Sequence, residues 1–402
     1  MELANLSETA GRAKFFQRGI LLNLAYWQDW VKNNANDVAI LDQERNGLIR
    51  GILFALDLGE TAWASVQELI STLSSYMERR GYWEIWHQVL DKALEVAGLI
   101  GDLAGMTHLS ALLGRLSFQQ SHFQESVSYY RQTIRLARQI GDRFNEARAC
   151  TNLGYYYIEH GQWWRAEVLC RYALQIFEDI DSQHGCAHTE NHLGFLYTLQ
   201  CRWDIAQQHL NQACALWQSM EDQHGLMRGY LNLGGLYVYM EQPAEALAFL
   251  GKALSVSQAT RDDATIGKIY TNMGIAYRLM ADLVKAEEYN HLAETIFKQC
   301  SNLTGLSKVW HGLGLTYFYQ NRYAEAFLNL EKSLDVWRKL GIKVEEIEVL
   351  IDLGECEFKR GNRQQALVYL EQVEDLIGQD QSNTRYHYLY PRLEKYRRSL
   401  TE

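Results

Sequence analysis

The chain has 402 residues and a formal charge of −10, and a balance this acidic argues against bulk nucleic-acid binding, which needs a basic footprint. Hydrophobic residues make up 47 %, and the two prolines are Pro243 and Pro391; so few helix breakers over such a length argue for an all-helical chain. The polar, acidic start from Met1 to Arg12 does not read as a secretory signal, and no apolar run is long enough to span a membrane. The seven cysteines are odd in number and form no C-x-x-C pair, so they read as reduced thiols in a cytoplasmic protein.

In chain order, Ala13 to Val31 is predicted as an amphipathic helix, with Phe16, Ile20, Leu24, Trp27 and Val31 on one stripe. Asn33 to Asp37 is a turn, with Asp37 as N-cap of the next helix. That helix runs from Val38 to Leu58 and stops at Gly59. Residues 1–60 are therefore expected to form an N-terminal helical cap.

A repeat follows. Gly114, Gly154, Gly194, Gly234, Gly274, Gly314 and Gly354 fall at a spacing of 40 without a single insertion. A fixed period of this size marks a repeat array, which grows by stacking units and needs no domain split. Ser74 occupies the glycine slot of an earlier unit, so residues 61–378 are read as about eight units. Each unit reads as two antiparallel helices. In the third, helix A runs from Asp142 to His160, Gly161 makes the turn, and helix B runs from Gln162 to Ile180. Ala166, Ala206, Ala246, Ala286, Ala326 and Ala366 recur in helix B. Small residues at fixed positions let helix backbones approach closely. Residues 379–402 are expected to form a C-terminal capping helix, from Tyr386 to Leu400. It carries Arg392, Lys395, Arg397 and Arg398, with Arg385 just before it. A charged outer face is what a solenoid needs to close its last apolar surface.

Trp310-His311-Gly312-Leu313-Gly314-Leu315-Thr316-Tyr317, followed by Ala326, resembles the tetratricopeptide pattern W-x-x-L-G-x-x-Y. The other units keep Leu-Gly and Tyr but lack the Trp, and all lack the proline that closes the common 34-residue unit. The longer unit looks like that of kinesin light chains, LGN-type adaptors and the sensor arms of bacterial MalT- and AfsR-like regulators. The stretches Glu44–Leu56 and Tyr76–Trp83 are similar to the segments that follow the ATPase of such regulators, although this chain has no G-x-x-x-x-G-K-[ST] loop. The resemblance implies an all-α, right-handed superhelix (an α-solenoid) with helix A on the concave face.

The same resemblance places the inner positions at −6, −3, −2, +1, +4 and +5 from each glycine. Position −6 gives His108, Arg148, His188, Arg228, Lys268 and Lys308, then Glu348. Positions −2 and −3 give Asn152, His192, Asn232 and Asn272, and Thr151, Asn191 and His311. Tyr155, Phe195, Tyr239, Phe318 and Tyr319 add rings. Arg and Lys receive carboxylates, Asn pairs with extended backbone, and aromatic rings anchor apolar groups. The competing reading is that these charges pair with acids of adjacent units, such as Glu146, Glu159 or Glu190.

The expected function is thus a non-catalytic scaffold or adaptor whose groove binds an acidic or extended segment of a protein or peptide partner. No direct nucleic-acid or membrane partner is expected, and self-association is open to the array. The alternative is a ligand-sensing regulatory subunit that controls a separate effector. A third reading is an enzyme resembling the Rap regulators. It would need a catalytic side chain in residues 1–60, where Gln17, Gln28, Asp29 and Gln43 lie. His184, His188 and His192 have a spacing a metal could use, but no carboxylate or cysteine is fixed beside them. His184-Gly185-Cys186 suggests a dyad, yet His224-Gly225 recurs without the cysteine. No catalytic residue, metal or cofactor is assigned. Trp163 and Trp164 cannot both face inward, so one is expected on the convex surface.

Overall fold

The computed structural model describes residues 2–35, 37–259, 262–379 and 389–401, with side chains placed between Arg12 and Arg398. Among them lie nineteen α-helices and one short 3-10 turn. Helices α1 (Glu2–Asn34) and α2 (Val38–Leu56) come first, and the 3-10 turn at Gly59–Ala62 leads into paired helices. The pairs are α3 (Trp63–Arg79) with α4 (Trp83–Ile100), α5 (Leu103–Gln119) with α6 (Phe123–Ile140), and α7 (Arg143–Glu159) with α8 (Trp163–Asp179). Next come α9 (Gln183–Leu199) with α10 (Trp203–Ser219), and α11 (Gln223–Tyr239) with α12 (Pro243–Ala259). The last are α13 (Asp263–Leu279) with α14 (Leu283–Gln299), α15 (Leu303–Tyr319) with α16 (Tyr323–Leu340), and α17 (Lys343–Lys359) with α18 (Arg363–Gln379); α19 (Tyr390–Thr401) ends the chain. The fold is an all-helical solenoid of tandem pairs. No described helix is long and apolar enough to cross a membrane.

Two compact units result. One holds the chain up to Gln119 together with Gln124–Glu146, and the other holds Gln120–Phe123 together with the chain from Ala147 on.

The turns obey a shorter period than the glycine grid. A left-handed residue recurs every twenty positions along the pairs. It is glycine at Gly141 and Gly161, then Asp181, Cys201, Glu221 and Glu241, with φ between 53° and 57° for these four. This conformation brings Cβ close to the following carbonyl, which costs an L-residue roughly 1 kcal/mol or more. The next residue caps the following helix in most A helices. The side chains of Ser182, Asp222, Asp262 and Asn302 each accept a hydrogen bond from the backbone N–H three residues on.

Two close approaches recur among the repeats of the second unit. Within a pair, a Cβ on Gly154 would lie 2.7 Å from Cys170 Sγ, and one on Gly194 equally close to Leu210. The helix-B alanines, from Ala166 to Ala366, are fully buried. Between pairs, Gly225 receives the fully buried ring of Trp217, as Gly185 and Gly305 receive Phe177 and Phe297. In the corresponding places of the sequence Thr265 replaces the glycine and Ser257, fully buried, replaces the large ring. The interior is filled to near-crystalline density, so each side must answer the other's volume.

In the first unit the Ser74 hydroxyl accepts from the buried Trp86 indole at 3.3 Å. Asp42 of α2 gathers Tyr76, Tyr82 and Arg80. Helix α1 is longer than the predicted Ala13–Val31, because Glu2 to Arg12 is rich in good helix formers. Helix α2 ends at Leu56 rather than Leu58, the 3-10 turn taking over at Gly59. At the far end, Leu389, Leu393 and Tyr396 are buried. The Tyr396 hydroxyl donates to the Ala366 carbonyl at 2.6 Å and lies against Gly354. The predicted start of the terminal helix at Tyr386, and Arg385, lie outside the described residues.

Candidate partner-binding channel

Helices α7, α9, α11, α13 and α15 turn their inner sides toward a common interior. Two contacts of long sequence separation bring the start of α15 back to earlier parts of the same unit. Lys308 Nζ of α15 lies 3.4 Å from Glu159 Oε2 at the end of α7, 149 residues earlier. Ser121 and Thr304, 183 residues apart, share a hydrogen bond of 2.6 Å. Within the second unit, the end of α7 and the start of α15 thus approach each other across an inner channel.

Position −6 supplies the channel's cations. Arg228 Nη1 sits 3.3 Å from His188 Nε2, and the His188 ring lies edge-on to Trp217. Lys268 follows on α13 and Lys308 on α15; Arg148 is half-buried on α7. Lys268 is reached by water, yet protein surrounds it on enough sides that burial lowers its ammonium pKa; Glu159 and Asp262 oppose that shift, while Lys308 and Arg228 add to it. Three cations thus act on one another here against two carboxylates. One of the two, Asp262, is occupied as the N-cap of α13, accepting from Thr265 N–H and Thr265 hydroxyl at 3.0 Å each.

Aromatic groups line the α7–α9 side. Tyr155 packs on His192 at 4.9 Å and on Phe195 at 5.9 Å between ring centroids. Its hydroxyl donates to Glu159 Oε1 at 3.0 Å. Burial, and then the Glu159 charge, push the Tyr155 pKa well up. His192 is pushed down to about 4 by burial, with the Arg228 charge contributing, so its ring is neutral at pH 7. Tyr239 and Tyr319 are about half exposed at the ends of α11 and α15.

Positions −3 and −2 divide their labour differently from the cations. Asn191 is buried and accepts from Asn232 Nδ2 of the next A helix at 3.0 Å. Asn272 lies close to Gly235 of α11, and Asn152 is half-buried. His311 repeats the Asn191 arrangement three repeats on, with Nε2 2.6 Å from Asp352. These side chains stitch adjacent A helices and present only part of their surface to the channel.

The last pair is acidic at the same slots. Asp352 is 2 % exposed and is held by both His311 and Arg392 of α19. Burial alone would raise its pKa, but Arg392 and His311 bring it down to about 2. Burial likewise would lower His311, and Asp352 outweighs it, so the imidazole pKa is raised. Arg278 of α13 lies over the Tyr319 ring nearby.

The acids suggested as pairing partners have separate roles. Glu146 binds Arg138 and Glu190 binds His209, and Glu159 reaches Lys308 across the channel. Sequence reading passed over Arg278 and Asp352, although both occupy inner slots, +4 and −2. Trp164 is 76 % exposed and Trp163 is not, so one ring does face outward. The His184 and His188 rings lie 4.7 Å apart. No group of three His, Cys, Asp or Glu among the described residues is arranged to hold a metal. In the first unit, a cavity of about 450 Å³ is lined by Gln67, Glu68, Ser71, Asp102 and His108 among others. Gln28, a candidate of the enzymatic reading, donates there to Glu68 at 2.5 Å.

Residues 185–259, 225–299 and 305–377 match the sequence model of the tetratricopeptide repeat family. This stretch of the array is made of tetratricopeptide repeats. No curated protein matches the chain in sequence. Among solved structures, a Rap protein complexed with competence and sporulation factor is similar at 15 % identity and a TM-score of 0.58, over 86 % of this chain and 98 % of that one. Aspartyl phosphate phosphatase F from Bacillus subtilis is similar at 16 % identity and 0.52, over 89 % and 93 %. A signal transduction ATPase with a tetratricopeptide repeat sensor, from Pyrococcus horikoshii, is similar at 13 % identity and 0.50, over 89 % of this chain and 55 % of that one. At these identities the likeness is one of fold.

Proposed function

We propose that this protein is a non-catalytic scaffold whose A-helix channel binds an extended, acidic segment of a protein partner. The observation that carries the reading is the grouping of Arg228, Lys268 and Lys308 around one interior, close enough for their charges to act on Lys268. Such a field draws an acidic segment inward and favours it over a basic one. Asn152, Asn232 and Asn272 offer amide groups to an extended backbone. Tyr155, with His192 beneath it, and Tyr239 offer apolar surface. Arg148, His188, Asn191 and His311 complete the wall. The Rap protein similar to this chain was solved with a factor bound, which supports a binding role for this architecture.

The test is fluorescence anisotropy with a labelled Glu-rich peptide. Arg228→Glu/Lys268→Glu should bind at least about tenfold more weakly than the native chain, with circular dichroism and melting temperature preserved. Equal affinity would remove the channel from the account.

A further inference from the structure

We propose that Glu159 is an internal occupant of the channel's anion position, holding Lys308 until a carboxylate of the partner replaces it. This rests on the reading of the channel as an acidic-segment site and adds how that site is closed.

The two oxygens of Glu159 have different tasks. Oε1 accepts from Tyr155, one helical turn earlier, at 3.0 Å. Oε2 faces Lys308 at 3.4 Å. Tyr155 therefore aims the carboxylate across the channel. The other +5 residues of the second unit's A helices are Leu199, Tyr239, Leu279, Tyr319 and Lys359, so Glu159 is the acid of that slot. The Glu159 side chain is largely shielded, at 16 % exposure, whereas Lys308 is 40 % exposed. A segment entering the channel meets Lys308 from the solvent side.

The exchange is carboxylate for carboxylate, so Lys308 keeps an anionic neighbour throughout. An incoming acid gains Lys308 together with the field of Lys268 and Arg228. Glu159 keeps its bond from Tyr155 when Lys308 leaves it. The contact spans the channel by side chains alone, so breaking it costs no helix packing. An exposed-to-intermediate ion pair of this kind is weak enough to be exchanged.

The experiment uses the full chain and the labelled Glu-rich peptide. Glu159→Gln retains the acceptor for Tyr155 and removes the competing charge. It should bind about tenfold more tightly than the native chain, and in a Lys308→Met background the same change should give almost no gain. Thermal melts of all three variants verify folding. A Glu159→Gln affinity equal to or below native overturns the clasp. So does a gain that persists undiminished without Lys308, since the effect would then be general charge and not this pair. If Arg228→Glu/Lys268→Glu loses the peptide while Glu159→Gln changes nothing, the clasp falls and the channel stands. If neither the native chain nor Glu159→Gln binds the peptide, both fall together.

Discussion

The A helices of the pairs α11–α16 carry cations at position −6, whereas the last pair, α17–α18, carries Glu348 there and Asp352 at the asparagine slot. In the first region Arg228, Lys268 and Lys308 lie close enough for the charges of Arg228 and Lys308 to act on Lys268, and Glu159 reaches Lys308 directly. In the second, Asp352 is clamped by His311 from the preceding A helix and by Arg392 from α19. The acid of the terminal pair is thus fixed by two cations of the chain itself, while Lys268 sits among like charges. The difference separates a structural charge from an available one. A buried ion held by two partners maintains the fold, while a crowded cation that water can still reach is a place for a ligand.

Neutralising each region should break the comparison most visibly. Asp352→Ala leaves His311 and Arg392 without their shared carboxylate, and denaturant melts should show a loss of about 3 kcal/mol. Lys268→Met relieves repulsion from Arg228 and Lys308 and the cost of burying its ammonium. Its stability should match or exceed native, while its affinity for the Glu-rich peptide falls. Comparable losses of stability from both changes would erase the distinction.

Acid sharpens it. The Asp352 pKa is depressed, so its contribution is present above the ordinary carboxylate pKa and is lost as pH falls through about 2. The His311 pKa is raised, so its contribution is full below the ordinary imidazole value and is lost as pH rises through its folded pKa. The stability gap between native and Asp352→Asn should therefore be widest between about pH 4 and about pH 6.5. His192 behaves oppositely. Its folded pKa of about 4 means that acidification below the ordinary imidazole range destabilises the channel wall. His192→Gln should flatten that acid-side loss in thermal melts.

The smallest effect is a control on both regions. Glu241→Gly removes a left-handed non-glycine residue from a turn and should raise stability by about 1 kcal/mol. Peptide affinity should not move.

The glycine grid was legible because the physics behind it is local. Gly154 and Gly194 must admit Cys170 and Leu210, and alanines from Ala166 to Ala366 must let helix B approach. The outward Trp164 followed from one helix being unable to bury two adjacent rings. The twenty-residue turn period was hidden, since Asp181, Cys201, Glu221 and Glu241 adopt a conformation their side chains do not advertise. The Glu159–Lys308 contact was hidden for another reason. It depends on small rotations accumulated over four successive pairs, which no local pattern encodes. Asp352 occupies the asparagine slot, and its partner Arg392 lies beyond the last pair, so its role emerges only with α19 in place. The −6 column was visible as charge, but which of its members would share one interior was not.

The most direct test exchanges the charge of the channel and asks whether specificity follows. Native protein and Arg228→Glu/Lys268→Glu would each be titrated with a Glu-rich and a Lys-rich peptide of equal length. Native protein should prefer the Glu-rich peptide and the variant should reverse the order. The same order in both proteins, or no discrimination by either, would contradict that expectation.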